Sequence, residues 1–152
     1  MEDLTTRAIH AFRENLNCSQ AVLTSFAESL NLDRNTAMAV SGGFGAGMGR
    51  LQGTCGAVTG ACMVLGLANS KEFSDNHGFK EHTYLMIREF DRRFRKKHHT
   101  TDCRLLLGCD LLTDEGCEKV QLFNLTEKVC EVCIADAVSI TLDLIGNQGG
   151  KS

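Results

Sequence analysis

Apolar residues recur every three to four positions along most of the chain, and no stretch of useful length alternates every two. Leu4, Ala8, Ile9, Ala11, Phe12 and Leu16 form one such run, and Ala21, Val22, Leu23, Phe26, Ala27 and Leu30 form a second after Asn17-Cys18-Ser19. This spacing predicts two amphipathic helices that meet at Cys18. Asp33 is placed to cap a third helix, Thr36 to Val40, which five glycines between Gly42 and Gly49 then stop. A fourth helix is expected from Cys55 to about Ala68 with Thr54 as its N-cap. Phe79 to Lys97 reads as a long amphipathic helix with Tyr84, Ile87, Phe90 and Phe94 on its inner side. Asp102 to Gly116 reads as a short helix or turn region, and Thr126 to Ile145 as a final helix containing Cys130 and Cys133. With neither repeat nor linker in view, the pattern predicts an all-α, single-domain bundle of about five to six helices spanning residues 1–152. A glycine-rich connection precedes the helix that begins near Cys55.

Composition narrows the possibilities. An apolar fraction of 43% over 152 residues supplies a core without disulfide staples. A net charge of -3 gives no global reason to expect nucleic acid or an anionic membrane as partner, since both attract a basic footprint. The basic run Arg92-Arg93-Phe94-Arg95-Lys96-Lys97-His98-His99 reads as a solvated helix end that complements the helix macrodipole. Leu51 to Ser70 lacks charge, but its four glycines and polar residues suit a buried helix better than a membrane span. The acidic, polar N-terminus is unlike a secretory signal, so the chain is read as cytoplasmic.

In that compartment the eight cysteines suggest metal binding or redox chemistry more than stapling. Cys55 is the best-placed thiol, because the first turn of a helix offers unpaired N–H groups and partial positive charge that favour thiolate. Gly56 and Gly60, four residues apart, leave one face of that helix open to another backbone, a cluster or a ligand. Cys62 is expected to be a small core residue, and Cys117 a packing or surface residue. Cys130-Glu131-Val132-Cys133 puts two thiols at i,i+3 inside a helix, a setting foreign to thioredoxin chemistry, and no histidine follows to make a haem-attachment motif. The Gly42 to Gly49 run lacks the Lys-Ser/Thr ending of a phosphate loop and the preceding strand of a dinucleotide fold, so no nucleotide is expected. The histidines form no HExxH pattern and are read as surface residues. Four thiolates satisfy zinc or an iron–sulfur cluster, but spacing alone does not choose four from eight.

The order of the motifs does choose. Asn17-Cys18-Ser19-Gln20-Ala21-Val22, Gly42 to Gly49, Cys55-Gly56-Ala57-Val58-Thr59-Gly60-Ala61, Cys103-Arg104-Leu105-Leu106-Leu107-Gly108 and Cys130 together resemble the redox-active family named for its C_GCAxxG_C_C cysteine pattern. The resemblance runs from about Ala8 to Leu144 and implies four marked cysteines, Cys18, Cys55, Cys103 and Cys130, with Cys109 and Cys133 as alternates for the last two. A related domain in split-Soret cytochrome c implies an iron–sulfur role; without haem-attachment motifs here, a haem does not carry over. Association of family members with transporter genes implies a redox partner protein or an accessory role beside a transporter. Apolar helix faces would also permit a homodimer.

Three readings follow. In the first, Cys18, Cys55, Cys103 and Cys130 hold an iron–sulfur cluster, zinc or iron for electron transfer or sensing. In the second, Cys55 is the nucleophile of a thiol–disulfide oxidoreductase. In the third, the cysteines fill the core of a structural or interaction protein.

Overall fold

The computed structural model describes residues 2–149, all of them in helices, turns and loops apart from one isolated antiparallel bridge between Thr54 and Asp102. Five helices form the body: α1 (Leu4–Arg13), α2 (Cys18–Ala27), α5 (Gly56–Ser70), α6 (Asn76–His98) and α9 (Glu131–Gly149). Between them lie α3 (Arg34–Ser41), the single turn α4 (Gly45–Met48), and the short helices α7 (Cys103–Leu107) and α8 (Asp114–Leu122). A π-helical turn, Thr126–Cys130, leads into α9. The elements outnumber the five to six expected because the turn regions around Gly45, Cys103 and Asp114 each close a helical turn of their own.

The helix starts follow from capping chemistry. Asp3, Asp33, Asp75, Asp102 and Thr113 each accept a backbone N–H from the first turn of the helix they precede. Asn17 and Gln20 form a reciprocal capping box at α2. One start differs from expectation: α5 begins at Gly56 with Cys55 as its N-cap, because Thr54 is already engaged in the bridge to Asp102.

The core lies where α2, α5, α6 and α9 pack together, with Val22, Val64, Leu65, Phe90, Phe94, Ile134 and Val138 all buried. On α6 the inward face is Thr83, Met86, Phe90 and Phe94. Tyr84, expected on that side, is 50% exposed, since it sits a quarter turn from the stripe that the two stacked phenylalanines define. Gly60 allows α2 and α5 to cross closely. A Cβ at that position would lie 2.9 Å from the Ser19 carbonyl oxygen and 3.0 Å from the Val22 Cβ.

The glycine-rich connection is an ordered reversal of hand. Ala46, Gly47, Met48, Gly49 and Arg50 are five consecutive residues with φ between 54° and 68°, and Gln52 follows at 58°. Such a left-handed turn costs about 1–2 kcal/mol for each non-glycine residue in it. Gly47 is obligatory, because a Cβ there would meet the Gln52 Cα at 2.5 Å.

Candidate functional site

Cys18, Cys55, Cys103, Cys130 and Cys133 line one cavity of about 410 Å³. The remaining wall is mostly apolar, supplied by residues such as Phe12, Leu106, Leu111 and Val129, with Arg50 on the lining as well. The four cysteines singled out by motif order thus reach one space from four separate elements, and Cys133 joins them as a fifth.

Local structure explains each placement. Cys18 is the first residue of α2, between the two members of the capping box, and Asn17 and Gln20 also bind the Gly42 and Met38 carbonyls to fix α2 against the end of α3. Cys55 and Cys103 are brought together by a short antiparallel pairing. Cys55 N–H donates to the Thr101 carbonyl and Cys103 N–H to the Gly53 carbonyl, both at 2.7 Å. Side-chain alternation across this pairing sends both thiols to the face opposite Thr54 and Asp102. Cys130 ends the π-helical turn, and Cys133 lies one turn further along the same face of α9. Extra residues of the π type recur at functional sites, where they re-aim a side chain within a helix.

Gln52 ties this site to the segment beyond α7. The residue is only 4% exposed, and both ends of its amide are used. Its Oε1 accepts the Leu111 N–H at 2.8 Å, and its Nε2 donates to the Cys109 carbonyl at 2.9 Å while standing 3.9 Å from the Cys103 Sγ. Nothing in the sequence periodicity marks Gln52; its only signal is position, a polar residue within an uncharged stretch that otherwise reads as core.

The thiols are electrostatically unlike one another. Cys55 is held below the ordinary cysteine value, first by a hydrogen bond from the Cys133 thiol and then, against the effect of burial, by the Ala57 and Val58 N–H groups at the start of α5. These N–H groups act on the sulfur without forming a regular side-chain cap. Cys133 is correspondingly pushed up, because it gives its proton to that hydrogen bond. Burial raises Cys18, and the nearby Cys55 adds to this, while the N–H groups of Ala46, Ser19 and Cys18 partly offset it. Burial also pushes Cys103 and Cys130 up to about 12, with repulsion from the neighbouring cysteines next in importance for Cys130. Cys55 is therefore the thiol of this site that gives up its proton most readily.

A pH dependence follows. Unfolding returns Cys103 and Cys130 to their ordinary value near 9, so between pH 9 and about 12 the unfolded chain binds fewer protons than the folded one. The metal-free protein is expected to lose stability as pH rises through that window, with full stability from these two groups below pH 9. Urea midpoints measured across the window check this, and Cys103→Ser or Cys130→Ser should flatten the slope.

Cys109 is buried but meets the site through its backbone, as the partner of Gln52. Cys62 lies half-buried on α5, pushed up to about 11 by burial and by Asp91, and does not line the cavity. Cys117 is exposed and approaches the Leu111 carbonyl at 3.3 Å. Among the histidines, His98 is not a surface residue: its ring packs on Phe94 and its Nε2 lies 2.7 Å from an Asp136 carboxylate oxygen. Among the described residues, no three His, Cys, Asp or Glu side chains converge closely enough to hold a single metal ion. No described helix is long and apolar enough to cross a membrane.

Residues 16–144 match the family described as Putative redox-active protein (C_GCAxxG_C_C). No curated protein and no solved structure is similar enough to the chain to extend the comparison.

Proposed function

Because the chain belongs to the C_GCAxxG_C_C family of redox-active proteins, we propose that its cysteine-lined cavity holds an iron–sulfur cluster through Cys18, Cys55, Cys103 and Cys130, for electron transfer or sensing. The observation that carries this reading is the convergence of these four thiols, each from a different element, on one apolar cavity of about 410 Å³. Thiolates are the ordinary protein ligands of iron–sulfur clusters, and such a cluster supplies one-electron chemistry when bound. Thiols spread around a cavity suit a polynuclear centre better than a single zinc or iron, which draws four ligands to about 2.3 Å from one point.

The chain's own residues prepare the site for anionic ligands. The N-termini of α2 and α5 direct N–H groups at the sulfurs of Cys18 and Cys55. Gln52 adds an amide N–H toward Cys103, and the apolar wall limits water. Loading must displace protons from Cys18, Cys103 and Cys130, so uptake is favoured by rising pH. Protein purified without oxygen is expected to contain iron and acid-labile sulfide in comparable amounts, with visible absorption. Serine at any of the four positions should lower the retained iron severalfold. A colourless protein that takes up neither iron nor sulfide on reconstitution overturns the reading.

One observation favours a second reading. Cys55 and Cys133 line the same cavity, and Cys133 is the main cause that lowers the Cys55 thiol below its ordinary value, so a readily ionised thiol has a second thiol to resolve it, as a thiol–disulfide oxidoreductase requires. Here Cys55 attacks the disulfide of a substrate and releases one substrate thiolate. Cys133 then displaces the second, leaving a Cys55–Cys133 disulfide and a substrate reduced by two electrons. Mass spectrometry after mild oxidation separates the two readings: a reversible Cys55–Cys133 crosslink in an iron-free protein supports this one.

A further inference from the structure

The cations of α6 are concentrated far beyond the needs of a helix end. Between Arg88 and Lys97 lie six of the chain's sixteen Lys and Arg residues against two carboxylates, in a chain of net charge -3. The rest of the molecule is therefore strongly acidic, and the protein carries a large charge asymmetry aimed through this segment.

Two grooves collect these cations. One, of about 430 Å³ between α6 and α9, is lined by Arg92, Arg93, Lys96 and Lys97, with Asp143 as its acid. The other, of about 270 Å³, has Lys97, His99 and Lys128 at its edge and Leu106, Val129 and Val132 along it. Lys97 belongs to both, so the two grooves adjoin at that residue and together make one basic depression. Glu89 pairs with Arg92 and Arg93, and Asp136 lies 3.5 Å from Lys97. Lys96 and Lys128 form no ion pair among the described residues. At the apolar end Leu105 is 71% and Val132 45% exposed. Leu106 and Val129, which floor that end, also form part of the wall of the cysteine cavity. The basic depression thus ends one layer of side chains from the thiols.

From this arrangement we infer that the α6–α9 depression and its apolar end are the docking face for a small acidic electron-carrier protein. The choice of an electron carrier rests on the redox reading above; the choice of an acidic protein rests on the charge. Complementary fields steer such partners into register and speed their encounter at low salt. The exposed Leu105 and Val132 supply the apolar contact that a protein face matches and a phosphate backbone does not. The acidic remainder of the chain also repels an extended polyanion.

Binding is tested with oxidised, acidic plant-type [2Fe–2S] ferredoxin titrated into the full chain and followed by calorimetry, a readout independent of any iron in this protein. Binding is expected to weaken at least about tenfold as ionic strength rises from roughly 0.02 M to 0.2 M. The double variant Lys96→Glu/Lys128→Glu should weaken binding at least tenfold at low salt, whereas Lys80→Glu/Lys119→Glu, matched in charge but outside the depression, should weaken it by less than threefold. Circular dichroism verifies that both variants fold. The inference is overturned by binding that ignores salt, by equal losses in the two variants, by no binding at low salt, or by tighter binding of a 20-base-pair DNA duplex to the same lysines. Iron and sulfide analysis judges the cluster reading separately, so either idea can fail alone.

Discussion

Alanine at Gly56 is expected to dismantle the cysteine site. A Cβ at this position would stand 2.4 Å from the Cys18 Sγ and 3.1 Å from both the Phe44 carbonyl oxygen and the Ser19 N. The other two contacts are with backbone, so the Cys18 side chain is the part that must move. Overpacking of this kind costs about 1–3 kcal/mol. The larger consequence is chemical, since one of four converging thiols leaves its place. Retained iron should fall to the level of Cys18→Ser. Gly66→Ala provides the control in the same helix, because a Cβ there meets nothing within 4 Å. That substitution should stabilise the protein by about 0.5–1 kcal/mol through helix propensity and leave the site intact. Urea denaturation and iron content of the two variants, measured side by side, decide the matter. Equal behaviour would mean that the site does not depend on the missing side chain of Gly56.

Leucine at Gln52 is the second substitution with a large expected effect. The amide satisfies the Leu111 N–H and the Cys109 carbonyl in a place that water does not reach, and leucine satisfies neither. Each buried group left without a partner costs about 1–3 kcal/mol. A total loss of about 2–6 kcal/mol is therefore expected. The damage should be local: amide exchange at Leu111 should accelerate strongly, while the amides of Phe90 and Ile134 in the core follow only the global change. Gln52→Gly separates side chain from backbone. It relieves the positive φ of 58° but removes the same two hydrogen bonds, so it should recover part of the stability and none of the Leu111 protection. If Gln52→Leu exchanges at Leu111 like the unmodified protein, the bridging role is wrong.

The helical class and the inner positions Phe90 and Phe94 were legible from periodicity, since burial of one stripe is what that pattern encodes. The cysteines posed a different problem. Spacing does not bring Cys18, Cys55, Cys103 and Cys130 together; folding does, through a capping box, a two-stranded pairing and a π-helical turn. Motif order singled out four cysteines that line one cavity, and the i,i+3 spacing of Cys130 and Cys133 was the signal for the fifth thiol on that lining. Thr54 looked like the cap of α5 because capping preference is local, whereas its pairing with Asp102 joins residues 48 positions apart. His98 looked like part of a solvated helix end for a similar reason, as neither Asp136 nor the face of α6 that meets α9 is visible from the basic run itself. The glycines between Gly42 and Gly49 announced an unusual connection. They did not announce that Ala46, Met48 and Arg50 would adopt left-handed conformations beside them, because those residues enter such a turn only when the surrounding fold compels it.

That reversal of hand bears on how the molecule comes apart. Three non-glycine residues of the run, with Gln52 beyond it, each relax by about 1–2 kcal/mol when the turn is released. Release leaves the buried stripe shared by α2, α5, α6 and α9 untouched. The turn, the Thr54–Asp102 bridge and the Gln52 contacts thus form a unit that opens at lower free energy than the body. Two of its members, Gln52 and the bridge, hold Cys55 beside Cys103. Cys55 and Cys103, both buried, are consequently reached from water by a partial opening of the chain, in a population set by this unit and not by the stability of the whole.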